Sequence, residues 1–142
     1  MKSNKLIVEY DYDFEVLALT SSVKAYKLAW FLNKTLNIKL CKSEDLYFDF
    51  IKEGSIVISN YIYQTEFSIF RLLKNKSCEH YNTTKPYLLP ELKNYDYIIQ
   101  LSGEIPMFPL DGVQDILKQI PSVEYVKRID INGIKSKENL IF

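Results

Sequence analysis

Three small sets of residues carry side chains from which chemistry is usually built. Cys78 and His80 stand two apart, and on a strand both would point to one side, the minimum for a thiol–imidazole pair. His80 is the only histidine. No orienting group and no oxyanion loop is recognisable nearby, and two soft ligands fall short of the three or four that a zinc site wants. The residue types argue against catalysis or metal binding there. Glu9, Asp11, Asp13 and Glu15 alternate with Val8, Tyr10, Tyr12, Phe14 and Val16, the period of a half-buried strand. Same-face Cα atoms lie about 6.6 to 7 Å apart on a strand, so four acids in line do not converge on one cation unaided. A solvated sheet face is the better reading. Glu91 and Asp96 form the third set. A concave site holding both, with at least one displaced pKa, would be a ligand-binding or enzymatic pocket. No G-x-G-x-x-G, Walker A, H-E-x-x-H or G-x-S-x-G motif occurs, which lowers the case for an enzyme.

The element that carries Glu91 and Asp96 organises the chain. It reads Leu-Leu-Pro-Glu-Leu-Lys-Asn-Tyr-Asp-Tyr-Ile-Ile-Gln-Leu from Leu88 to Leu101. Proline lacks an N–H and has φ fixed near about −65°, so Pro90 opens a single helical turn. Glu91 falls in its first turn, where a carboxylate meets free N–H groups, and Asn94 tolerates the left-handed geometry that closes it. A strand then starts at Tyr95, with Tyr95, Tyr97, Ile99 and Leu101 on one face. Asp is poorly suited to strands, so Asp96 requires a local reason: a cation, a hydrogen bond back to the turn, or a solvent-facing position.

Leu89-Pro90-Glu91, three residues, then Tyr95-Asp96-Tyr97 resembles the signature of the IPExxxVDY family, small Bacteroidetes proteins without an assigned activity. Leu89 stands where the family name has Ile, and Tyr95 where it has Val. Asp13-Phe14-Glu15-Val16-Leu17 and Tyr26-Lys27-Leu28-Ala29-Trp30-Phe31-Leu32-Asn33-Lys34 extend the resemblance over roughly residues 5 to 101. The signature identifies without carrying chemistry, and its six named residues are assigned no role.

Bulk properties bound the class. The 142 residues suit one domain with a sizeable core. Hydrophobic residues at 47% and charged residues at 25% describe a folded globular chain. A net charge of 0 removes the simplest electrostatic case for nucleic acid or an anionic membrane. Cys41 and Cys78 fit no disulfide framework and read as reduced thiols. No apolar run approaches the ~20 residues of a membrane span, and the N-terminus lacks a secretory apolar segment. The expected location is the cytoplasm.

In chain order, Val16 to Leu19 is apolar on both faces, as in a central strand. Thr20, Ser21 and Ser22 are N-cap candidates for a helix over Val23 to Asn37, whose buried stripe is Ala25, Leu28, Ala29, Leu32 and Leu36. Tyr26 and Trp30 flank that stripe and read as a touching pair on the rim of the core. Ile38, Leu40 and Leu46 to Ile51 read as strands, and Lys52 to Ser55 as a hairpin turn. Ile56 to Tyr63 and Phe67 to Leu73 continue an antiparallel meander. Arg71, Lys74, Lys76, Tyr81, Lys85 and Lys93 give a basic, aromatic stretch over 71–93 that is the best argument for a nucleic-acid contact. Its plainer reading is a solvated loop. Ser102 to Pro109 is a loop exposing Met107 and Phe108. Asp111 and Gln114 match a capping box for a helix with the stripe Val113, Ile116, Leu117 and Ile120. Val123 to Ile131 is a last strand, and Ile134 to Phe142 a tail that adds an edge strand or docks in trans.

The sequence therefore predicts one α+β domain over 1–142, a mostly antiparallel sheet with two helices on one face. Its leading functional expectation is a non-enzymatic protein-interaction module with another protein as partner, no cofactor, no metal and no membrane. An RNA- or ribosome-associated factor using 71–93 is the alternative, and a pocket near Glu91 and Asp96 the third.

Overall fold

The computed structural model describes residues 13–50, 52, 54–81, 83, 85–103 and 110–142. The first strand, β1, is Phe14–Ser21, followed by helix α1, Ala25–Leu36. Strands β2 (Cys41–Lys42), β3 (Leu46–Phe50), β4 (Gly54–Ile58), β5 (Asn60–Gln64), β6 (Ser68–Lys74) and β7 (His80–Tyr81) follow. A 3-10 turn, Pro90–Leu92, leads into β8 (Tyr97–Gly103), helix α2 (Leu110–Lys118) and β9 (Val123–Ile129). Two further 3-10 turns, Ile131–Gly133 and Lys137–Leu140, finish the chain.

The strands form a six-stranded sheet, β2-β5-β6-β8-β1-β9, and a three-stranded one, β3-β4-β7. All pairings between these strands are antiparallel. The expected α+β domain is thus observed. Val16 to Leu19 and Tyr97 to Leu101 lie in β1 and β8, two interior neighbours, as their two-faced apolar sequences require.

Because side chains alternate across a strand, each interior strand feeds two cores. Leu17, Leu19, Tyr97, Ile99 and Leu101 face the helices and meet Leu28, Ala29, Leu32 and Leu36 of α1 and Val113 and Leu117 of α2. Both helices therefore cover the same face. Val16, Ala18, Leu73 and Ile98 face the other way, onto Ile56 and Ile58 of β4, Leu88, Leu89 and the C-terminal residues Ile131, Ile134 and Leu140. The result is three layers: helices, large sheet, and a third layer of the small sheet and 3-10 turns.

Several expectations are corrected. Ile56 to Tyr63 is two strands in two different sheets, divided at Ser59. The flanking residues are alike in β-forming character, and the mark of the change is the buried polar pair Ser59 and Asn60. Thr20 and Ser21 stay in β1, and α1 opens at Lys24 without a side-chain cap. Tyr26 and Trp30 do not rim the core; they are 64% and 56% exposed. At the other end Asn37 takes φ 56°, and Asn33 bridges to Leu40 through two hydrogen bonds of 3.1 and 2.7 Å, which fixes the exit of the helix. Helix α2 begins at Leu110, so Asp111 lies inside it rather than at its cap. The C-terminal tail adds no strand and docks in cis, with Leu140 buried. The expectations for Glu9, Asp11, Met107 and Phe108 lie outside the described residues.

Candidate functional site

The Pro-Glu turn is built on a residue that sequence reading passed over. Asn75, just after β6, is fully buried. Its side-chain NH2 donates to the carbonyls of Leu92 (2.8 Å), Tyr95 (3.2 Å) and Leu89 (3.4 Å). Its Oδ1 accepts from the Leu89 N–H at 2.8 Å. Its own backbone N–H donates to the Asp96 carbonyl and its carbonyl accepts from Leu88, at 2.9 and 2.7 Å. The turn already bonds the Leu89 and Leu92 carbonyls to the N–H groups of Leu92 and Tyr95; the amide adds a second donor to each and supplies partners for the Tyr95 carbonyl and the Leu89 N–H. The only sequence signal is an Asn directly after the apolar run of β6, a signal shared with most turns.

Within this frame the signature residues have structural duties. Leu89 is buried, and Pro90 opens the 3-10 turn. Asp96 is exposed, so of the three reasons offered for it the solvent-facing position holds, and its carboxylate also makes a hydrogen bond. That bond goes to β1 rather than to the turn, its Oδ2 accepting from the Ser21 N–H at 2.8 Å. The Asp96 N–H donates to the Leu19 carbonyl at 2.8 Å, so the residue clamps the end of the β1–β8 ladder. Tyr97 is 2% exposed and donates its hydroxyl to the Val23 carbonyl at the entry to α1. Burial, and then the neighbouring Asp96 carboxylate, push its pKa up to about 12. Tyr95 stacks on Tyr125 of β9, centroids 6.2 Å apart. Glu91 accepts from the Ser136 hydroxyl, and Asn139 donates to the Leu88 carbonyl at 2.8 Å. The signature therefore ties together β1, β6, β8, the entry to α1 and the C-terminal turns.

A cavity of about 330 Å³ does open beside Glu91, with Phe50, Lys85, Tyr87, Lys135 and Glu138 among its lining. Asp96 is not in it. The pair that would make a common acid–base site is divided, one carboxylate on the cavity and the other on Ser21. Cys78 precedes β7 instead of lying on it with His80, so a shared strand does not align the two. Asp13 and Glu15 also part, Glu15 pairing with Arg128 at 3.2 Å. Among the described residues no group of three or more His, Cys, Asp or Glu is placed to hold a metal.

The basic stretch is likewise dispersed. Arg71 lies in mid-sheet on β6 under the ring of Phe142, 4.6 Å from its centroid. Lys74 ends β6, Lys76 bridges to Tyr87, Tyr81 pairs with Ser55, Lys85 lines the Glu91 cavity and Lys93 closes the 3-10 turn.

A second basic and aromatic surface is continuous. Lys24, Tyr26, Lys27, Trp30 and Lys34 are all exposed, on the side of α1 opposite its buried stripe. Tyr26, Trp30 and Lys34 follow at four-residue steps, neighbours on a helix surface. The Lys34 ammonium sits over the Trp30 ring at 5.1 Å, and Phe31 meets that ring edge-on. Among the described residues no carboxylate pairs with Lys24, Lys27 or Lys34. From Val16 to Ser43 the chain carries Lys24, Lys27, Lys34, Lys39 and Lys42 and no acid, an asymmetry that a net charge of 0 conceals.

Among the described residues no helix is long and apolar enough to cross a membrane. No family model matches the chain, and no curated protein or solved structure shows significant similarity to it.

Proposed function

We propose that the protein is a non-enzymatic interaction module that binds an acidic surface of another protein through the outer face of α1. The observation that carries this reading is the exposure of Tyr26 and Trp30 together on one helix face. Trp and Tyr are the side chains most enriched among residues that dominate binding energy, and leaving both in water forgoes apolar burial. The lysines around them, with which no described carboxylate pairs, set the sign of the partner, by charge complementarity and steering of encounter. The opposite side of α1 is locked into the core, so the face is presented on a rigid support. A cytoplasmic setting, consistent with the free thiols of Cys41 and Cys78, and kinship with the IPExxxVDY family belong to the same proposal.

The test is quantitative affinity purification of the wild type and of the double variant Tyr26→Ala/Trp30→Ala, each with and without nuclease. Protein partners that survive nuclease with the wild type and disappear with the double variant support the module. Equal recovery by both removes α1 as the site. Partners lost on nuclease treatment move the reading to RNA.

A further inference from the structure

On the face of the large sheet turned away from the helices, polar side chains of β6 and β8 come together at one place. Arg71 on β6 stands across from Gln100 on β8, and Ile69 across from Ser102. Phe14 of β1 is in turn opposite Ser102. Strand alternation puts all five on one face, as a polar patch set in hydrophobic surroundings. Gln100 is 4% exposed and donates to the Leu140 carbonyl at 2.8 Å, which holds the C-terminal residues over the patch. They leave a cavity of about 200 Å³, floored by Arg71, Gln100 and Ser102 and walled by Phe14, Ile69 and Phe142, with Asp13 in its lining.

Arg71 is the anomaly. Its guanidinium is half-buried, and burial lowers its pKa. Even so, no carboxylate among the described residues lies within ion-pair distance. Partly buried cations are normally paired, because desolvation without a counter-charge is costly. Here one face of the guanidinium is covered by Phe142, and among the described residues the planar fork of N–H donors meets no carboxylate.

We propose that this cavity binds a small monocarboxylate with a flat apolar body. The carboxylate takes the guanidinium fork, which suits its geometry. Gln100 and Ser102 border it with amide and hydroxyl groups, and the body lies between Phe14 and Phe142. The volume is below the ~300 Å³ of drug-sized pockets, which limits the ligand to about one ring. Asp13 at the cavity repels a second negative charge, so dicarboxylates and phosphate bind less well. This inference is independent of the α1 reading.

Benzoate is the probe, followed by calorimetry and by amide chemical shifts of the full chain. Saturable binding is expected, with shifts centred on Arg71, Gln100, Ser102 and Phe142. Phthalate and inorganic phosphate bind more weakly. Arg71→Gln lowers benzoate affinity by about tenfold or more, the loss of a charge-assisted hydrogen-bonding pair. Arg128→Gln, which removes an exposed guanidinium already paired with Glu15, leaves it unchanged. No saturable binding at millimolar benzoate, shifts centred elsewhere, or equal losses in both variants would overturn the proposal. The shift map stands on the wild type alone, so it holds even if Arg71→Gln folds poorly.

Discussion

At Asn75 both polar atoms of the side-chain amide are engaged by the backbone of the Pro-Glu turn. On the outer face of α1 three lysines and two large rings stand in water with no ion pair to a described carboxylate. The first region turns its polar groups inward onto the turn that holds Leu89, Pro90 and Glu91, and the second turns its residues out to water. The difference shows that a distinctive motif can be distinctive for folding. A turn packed into the core from the third layer must satisfy its buried backbone groups, so its residues are constrained without touching a ligand. An exposed helix face has no such constraint from folding, so its composition is free to serve binding.

This contrast can be broken from either side. Asn75→Ala is expected to have the largest effect on stability. It strands the Tyr95 carbonyl and the Leu89 N–H and removes the second donor to the Leu89 and Leu92 carbonyls, a loss on the order of 3 kcal/mol in denaturant unfolding. A loss below about 1 kcal/mol would show that the turn holds itself. Tyr97 gives a pH signature. Its folded pKa of about 12 lies above the ordinary tyrosine value of 10.0, so its contribution is complete below pH 10 and is lost as pH rises through 12. Between those values the unfolded chain binds fewer protons and stability falls. Tyr97→Phe should flatten that part of the alkaline unfolding profile, and an unchanged slope would remove Tyr97 as its source. Asp96→Ala, which leaves the Ser21 N–H at the end of β1 without its carboxylate partner, should cost about 1 kcal/mol. Asp96→Asn, which keeps an acceptor, should cost less. At the small end, Trp30→Ala should change stability by no more than about 0.5 kcal/mol, while weakening partner binding by about 2 kcal/mol. A large drop in melting temperature would mean that Trp30 supports the fold.

What was legible in the sequence follows from period. The two-sided apolar run of Val16 to Leu19, the stripe Leu28, Ala29, Leu32 and Leu36, and the spacing of Val113 and Leu117 each declare an element and its buried face, and they gave the α+β class. The division of Ile56 to Tyr63 between two sheets was not legible, because strand composition is the same on both sides of Ser59. The 3-10 turn at Pro90 was legible from proline's fixed φ, but its support was not. Asn75 lies 14 residues before Leu89 in the chain, and only the tertiary path of β6 and β8 brings them together. The basic stretch over 71–93 is spread over the fold for a related reason. Its residues are close in sequence, yet Arg71 sits under Phe142 while Lys85 lines another cavity. The lysines of α1 are equally visible in sequence, but their significance depends on which side of the helix is covered.

The most direct test places one variant from each region in the same binding experiment. Asp96→Ala and Tyr26→Ala/Trp30→Ala would be compared with wild type for recovery of nuclease-resistant partners, at a temperature where circular dichroism shows all three folded. Undiminished recovery with Asp96→Ala and loss with the α1 double variant is the predicted result. Loss with Asp96→Ala and full recovery with the α1 variant would contradict the account and return the binding role to the Pro-Glu turn.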